Sequence, residues 1–211
     1  MPGSLSEFDA KRLSGDEELT DSISPQRFTV QDFWAWSSSD LLSNVRRGIF
    51  AEYIVAADFD VASEVRAEWD AYDLITKSGI KVEVKSAAYL QSWHQDAVSS
   101  IGFSVAKSQA WDPSTNKFSP EKRRQADVYV FCLLKHQDMS TVNPLDMSQW
   151  EFYIVPTATL NERCGDLKRL SLKRLLYLNP EVTRHGEILG AVENVANARP
   201  SANLRMPSKK S

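Results

Sequence analysis

Residues 72–85 read YDLITKSGIKVEVK. Lys77-Ser78-Gly79 suits a three-residue hairpin loop, with Gly79 in the left-handed position that a residue without a Cβ tolerates. Centring the turn on Ser78 sets the register. Thr76 then faces Ile80, Ile75 faces Lys81, Leu74 faces Val82, Asp73 faces Glu83 and Tyr72 faces Val84. One side of the ribbon carries Tyr72, Leu74, Val82 and Val84. The other carries Asp73, Lys81, Glu83 and Lys85. Strand side chains alternate with a period of two, so a one-residue slip would destroy this separation.

Directly opposed like charges destabilise a strand pair by about 0.2–1 kcal/mol on an exposed face. On a covered face the repulsion is larger, and one carboxylate is pushed towards protonation. A divalent cation removes the conflict, since two carboxylate oxygens, a backbone carbonyl and waters make an ordinary Mg²⁺ site. Lys85 lies two residues beyond Glu83 and points the same way. The plainer reading is a solvated strand face of alternating charge, with Lys81 or Lys85 neutralising the two acids. The hairpin by itself leaves both readings open.

A third acid bears on the choice. Glu52 lies in RGIFAEYIVA, a helical pattern, and its same-face neighbours are Gly48, Ile49, Val55 and Ala56. A carboxylate on that small, apolar face needs a partner or a metal. The bland alternative is a glutamate at the helix rim, paired with Arg46 or Arg47.

Around this core, residues 1–27 are polar and acidic and read as a flexible or loosely docked arm. Ordered structure is expected from about residue 28. TVQD (29–32) is a capping-box-like helix start ahead of FWAW, and the serines at 37–39 end that helix. A stronger helix is expected over roughly 41–57, then a short strand in EVRAEW (64–69). SIGFSV (100–105) is a strand candidate, and 106–126 is a long polar connection. DVYVFCLLK (127–135) is apolar on both faces, as a central, doubly covered strand should be. WEFYIVP (150–156) is another strand, ended by Pro156. TATLNE, SLKRLLYL and EILGAVENVANA read as helices, and residues 198–211 as a disordered basic tail. The predicted architecture is α/β: a central mixed β-sheet flanked by helices on both faces, in one domain over 28–197.

The bulk composition narrows the function classes. The chain has 211 residues, 42% of them hydrophobic, enough for one sizeable core. Its net charge of −3 means that any polyanion site must be a local patch. Cys132 and Cys164 lack metal-ligand spacing, and Cys132 in VYVFCLL reads as a small buried hydrophobe. The first residues carry no apolar signal-like run and no stretch reaches membrane-span length, so a cytoplasmic protein is expected.

The order Glu52 on a first helix, Asp73 on a strand, then Glu83-Val84-Lys85 on the next resembles the PD-(D/E)XK nuclease superfamily, with its restriction-endonuclease-like core. The strands DVYVFCLL and WEFYIVP also resemble that family's sheet. The likeness covers roughly residues 41–156. Tyr72 stands where the motif has proline, and Gln91 follows Tyr89 in the wrong order for the Gln-x-x-x-Tyr element of the RecB-like branch, which is therefore not assigned. The resemblance implies metal-dependent hydrolysis of DNA phosphodiester bonds. Asp73 and Glu83 would hold Mg²⁺, or Mn²⁺ in its place, with the Val84 carbonyl as third ligand. Glu52 would bind a metal directly or through water. Lys85 would orient the attacking hydroxide or stabilise the phosphate.

DNA contacts are expected from Arg46 and Arg47, one turn before Glu52, from Ser86 and Gln91 just past the lysine, and from Lys122, Arg123 and Arg124 ahead of the central strand. The run Lys168, Arg169, Lys173 and Arg174 reads as a solvated face. Trp93, Trp111 and Trp150 read as packing before base stacking, and no histidine reads as a ligand. A non-catalytic nucleic-acid-binding module is the main rival, and a small interaction protein with a merely solvated strand face is a third. A homodimer or a separate specificity partner would supply what the chain itself does not show.

Overall fold

In a computed structural model of the chain, residues 10–19, 28–66, 71–112 and 115–198 are described. The elements run in the order β1 (Glu18–Leu19), β2 (Phe28–Thr29), α1 (Val30–Ser38), α2 (Asn44–Asp58), β3 (Leu74–Ile75), β4 (Lys81–Ala88), β5 (Gly102–Ser104), β6 (Trp111–Asp112), β7 (Lys117–Phe118), β8 (Val128–Leu134), β9 (Trp150–Pro156), α3 (Thr157–Cys164), β10 (Arg169–Ser171), α4 (Leu172–Tyr177), β11 (Glu181–Thr183) and α5 (Ile188–Asn197).

The main sheet has five strands in the order β11-β9-β8-β4-β3. It is mixed, because β4 and β8 are parallel while every other neighbouring pair is antiparallel. Every residue of β8 is buried, as its uninterrupted apolar run requires of a doubly covered strand. On one face, Ala51, Ile54 and Val55 of α2 and Ile188, Ala191 and Val192 of α5 pack on Val82, Val84, Val130, Cys132, Phe152 and Ile154. On the other, Leu160 and Cys164 of α3, Leu175 of α4 and the β5–β10 ribbon cover Ala87, Tyr129, Phe131, Leu133 and Tyr153. Helices thus flank a central mixed sheet on both faces, the architecture expected and one compatible with a restriction-endonuclease-like core.

Local signals placed several elements. Thr29 caps α1 in a full capping box, with its Oγ1 accepting from the Asp32 amide while the Asp32 carboxylate accepts from the Thr29 amide. The second helix begins at Asn44 instead of residue 41, because the Ser43 Oγ accepts from the Arg46 amide and caps it there. Residues 64–66 form no strand. The rest of the strand expected over 64–69 lies outside the described residues.

SIGFSV does contain a strand, but β5 pairs with β10 away from the main sheet. The polar connection 106–126 holds the small hairpin of β6 and β7. The three-residue strands β10 and β11 were not expected, since so short a run shows no period. Of the predicted arm, residues 10–19 are described: Glu18 and Leu19 pair with Thr29 and Phe28, and the Arg12 guanidinium reaches the Ala62 carbonyl. Residues 1–9 and 20–27, and the predicted tail from 199 onwards, lie outside the described residues.

Candidate active site

The hairpin forms with the register its turn dictates: Leu74 pairs with Val82 and Ile75 with Lys81. Thr76 donates its amide to the Ile80 carbonyl, and Gly79 closes the loop at φ +87°. Along β4 the alternation is as expected, with Val82 and Val84 in the α2-side core and Glu83 and Lys85 on the opposite face.

One expectation fails here. Tyr72 does not join the side of Leu74 and Val82; it packs against the core on the other face, where the Lys81 ammonium lies 5.2 Å from its ring centre. The cause is local. Val82, already partnered with Leu74, also accepts the Asp73 amide at 3.1 Å, so two residues oppose one as in a bulge. One extra residue reverses the facing of what precedes it.

The same irregularity fixes Asp73. Its Oδ2 accepts the Val84 amide at 2.7 Å, in place of a strand carbonyl. Lys85 Nζ lies 2.6 Å from Glu83 Oε1 and 3.7 Å from Asp73 Oδ2, so both acids and the lysine converge as the sequence suggested. Burial raises the Glu83 pKa, Lys85 draws it down, and Asp73 and Glu52 raise it again; the net shift is upward. Burial alone would lower the Lys85 pKa, but Asp73, Glu83 and Glu52 together lift it above its usual value. Both partners therefore shift up for different reasons: Glu83 chiefly because it is buried, and Lys85 because its ammonium sits in the field of three carboxylates.

Glu52 is largely buried, at 15% side-chain exposure, and it has a partner. That partner is Arg66, whose Nε and Nη2 meet the two carboxylate oxygens, the second at 3.1 Å. Neither Arg46 nor Arg47 fills that role. Arg66 was missed because it stands 14 residues away in a segment read as a strand. Glu52, Arg66 and Asp73 line one cleft together with Tyr53, Val65 and Tyr72.

Two hard carboxylate oxygens held within reach of one site, in an excess of negative charge, fit a divalent cation of the Mg²⁺ class. Among the described residues, however, no three His, Cys, Asp or Glu side chains are gathered closely enough to hold a metal ion. Glu52 is engaged by Arg66.

The residues expected to grip phosphates divide. Arg47 is a correction. It is buried at 3% exposure, and its guanidinium is spent on Ser86 Oγ, the Leu42 carbonyl, Gln91 Oε1 and Asn44 Oδ1. Ser86 and Gln91 are accordingly tied to Arg47 in one interior network, with Gln91 Nε2 also donating to the Ala88 carbonyl. Arg124 is corrected in the same way: it is buried, and it binds the carbonyls of Val105 and Gly165 and Asn161 Oδ1. A buried guanidinium needs all its donors answered by the protein, so these arginines clamp loops instead of facing solvent.

Lys122 and Arg123 are exposed, with Arg123 Nε donating to Gln125. Arg46 is half-buried, and no hydrogen bond or ion pair holds its guanidinium among the described residues. Trp150 is buried, Trp111 is half-buried and Trp93 is exposed. The Cys132 thiol is fully buried, which raises its pKa.

The fold and the site together define an α/β protein whose sheet presents an acid–acid–lysine cluster on one largely buried face. The chain belongs to the bacteriophage T4 endonuclease IV family: the model of that family matches residues 7–165, which span every element from β1 to α3 and all four of Glu52, Asp73, Glu83 and Lys85. It is thus a member of a nuclease family. No curated protein and no solved structure matches the chain. No helix among the described residues is long and apolar enough to cross a membrane.

Proposed function

We propose that this protein is a metal-dependent DNA endonuclease that works on the PD-(D/E)XK plan, with Asp73, Glu83 and Lys85 as its centre. The observation that carries the reading is the convergence of Lys85 on Glu83 and Asp73 on one largely buried sheet face. Membership of an endonuclease family supports the reaction class.

Asp73 and Glu83, with the Val84 carbonyl, would hold Mg²⁺ or Mn²⁺; when bound, the ion supplies charge neutralisation and a pull on the phosphoryl oxygen. The Val84 amide fixes the Asp73 carboxylate, so that ligand is oriented in advance. Lys85 keeps its charge in this acid field. It can present its ammonium to a phosphate oxygen or orient the attacking water. Glu52 would act only after leaving Arg66. Arg46, Lys122 and Arg123 remain the basic side chains of the expected set that can meet a DNA backbone. A homodimer or a specificity partner would complete duplex cleavage.

The test is incubation of supercoiled plasmid with the purified protein in Mg²⁺, in Mn²⁺ and in EDTA, beside Lys85→Ala. Nicking that needs metal and drops at least about a hundredfold in the variant supports the reading. Equal nicking by the variant, or nicking in EDTA, sinks it. Metal-independent DNA binding without nicking would favour the non-catalytic module.

A further inference from the structure

β8 is a fully buried strand whose side chains are apolar but for the Cys132 thiol and one hydroxyl, that of Tyr129. A phenylalanine would serve the packing equally, because the ring is held by its stack on Phe131, with centroids 5.8 Å apart and planes at 28°. The hydroxyl is what packing leaves unexplained. Buried polar groups almost always find a partner, and this protein answers its other interior polar aromatics. The Tyr153 hydroxyl, on the neighbouring strand and the same face, donates to Glu151, and Trp150 Nε1 donates to the Pro144 carbonyl at 2.8 Å. Tyr129 as a residue is only 3% exposed, yet its hydroxyl makes no hydrogen bond among the described residues. Thr157 Oγ1 is the orphaned side-chain atom fully closed off from solvent among those residues, so the Tyr129 hydroxyl retains an opening.

Position says what the residue lies beside. In the parallel pairing of β4 and β8, Tyr129 is the direct register partner of Glu83. Neighbouring strands stand about 4.8 Å apart and registered side chains share a face. Tyr129 therefore lies beside Glu83 and Lys85. Burial, followed by the charges of Glu83 and Asp73, raises its pKa, while Arg124 opposes them. A phenol in that setting is a neutral donor with no acceptor, next to the acids and the lysine.

We infer that Tyr129 is a substrate contact of this site, donating its hydroxyl hydrogen bond to a non-bridging oxygen of the nucleic-acid phosphate held at Glu83 and Lys85. The inference rests on the phosphodiester reading of that site. A neutral donor suits the place, since it adds a phosphate hydrogen bond without a second cation competing with Lys85 for the two acids.

The test compares wild type, Tyr129→Phe and Lys85→Ala in three measurements. The first is thermal unfolding. The second is affinity for labelled single-stranded and duplex DNA oligonucleotides in Ca²⁺. The third is kcat and KM for cleavage in Mg²⁺. The expected result is Tyr129→Phe melting at or above wild type, since it removes only an unanswered hydroxyl, with DNA affinity or kcat/KM reduced about tenfold, the usual weight of a hydrogen bond to a charged group. Cleavage lost in Lys85→Ala but unchanged in Tyr129→Phe, with affinity also unchanged, overturns the contact and leaves the nuclease reading intact. If wild type binds DNA without cutting it, the affinity comparison alone decides: a tenfold loss upholds the contact, and equal affinity ends it. A wild type that neither binds nor cuts DNA overturns both.

Discussion

Burial holds the Glu83 carboxyl above its ordinary value of 4.5, with Lys85 pulling it down and Asp73 and Glu52 pushing it back up. A carboxyl raised on folding binds more protons in the folded state than in the unfolded one. Its contribution to stability is therefore complete below 4.5 and is lost as pH rises through the folded value. At neutral pH the ionised Glu83 costs stability. Glu83→Gln keeps an oxygen for Lys85 and removes the charge. It is expected to melt no lower than wild type at pH 7, to lose that decline above pH 4.5, and to abolish cleavage. A variant melting several degrees below wild type at pH 7 would show that the Lys85–Glu83 ion pair outweighs the burial and repulsion.

The same scale shows why charge alone misled. Arg47 and Arg124 looked like phosphate ligands because they lie in basic runs beside the right elements. A sequence gives the charge of a guanidinium but not whether its donors will be met by carbonyls from distant loops. Arg124 meets carbonyls 19 and 41 residues away. Glu52 was legible as an acid in need of a partner, because its helical neighbours are apolar. Its partner was not legible, because it comes from a loop.

At the scale of elements, the turn sets the hairpin register from Thr76–Ile80 to Leu74–Val82, and the bulge at Asp73 ends it there. Gly79 sits at φ +87°, and a Cβ there would meet no atom within 4 Å. The cost of a side chain is thus conformational alone. Gly79→Ala is expected to lose about 1 kcal/mol, or roughly 2–4 °C in Tm for a chain of this size. A variant as stable as wild type would mean that the loop relaxes to another turn.

The bulge at Asp73 left no signal, because it depends on a carboxylate replacing a strand carbonyl at the Val84 amide. The strands β10 and β11 were hidden for a different reason. Each has three residues and pairs with a strand far away in sequence, Arg169 with Ser104 and Glu181 with Ile154. Pairing at such distances is set by where the chain returns, and three residues are too few to show alternation.

For the whole molecule, the decisive quantity is the free energy of cation binding. A ligand that binds only the folded state stabilises it by ~2.7 kcal/mol at a hundredfold excess over its Kd, or roughly 5–10 °C for a chain of this size. Mn²⁺ is expected to raise the Tm of wild type by that order. Asp73→Asn and Glu83→Gln should each remove most of the rise, and EDTA should reverse it. An unchanged Tm in saturating Mn²⁺ would remove the metal from the proposed function. Glu52→Gln divides the ligand set further: a rise kept in that variant means that two carboxylates suffice, as the pairing of Glu52 with Arg66 suggests.

The sequence by itself determined what short-range rules can encode. These are the hairpin loop and its register as far as Leu74–Val82, the alternation that sends Glu83 and Lys85 to one face, the buried β8, the capped α1 and the three helices after the sheet. It also supplied Glu83 and Lys85 as candidates on one face, since their spacing follows from a period of two. The tertiary structure alone decided which charges are free. It spent Arg47 and Arg124 on interior clamps, joined Arg66 to Glu52, turned Tyr72 to the far face and set Tyr129 beside Glu83. Apart from Tyr72, turned by the local bulge, each of these depends on side chains brought together from distant parts of the chain, where burial, not composition, decides whether a polar group faces the protein or its substrate.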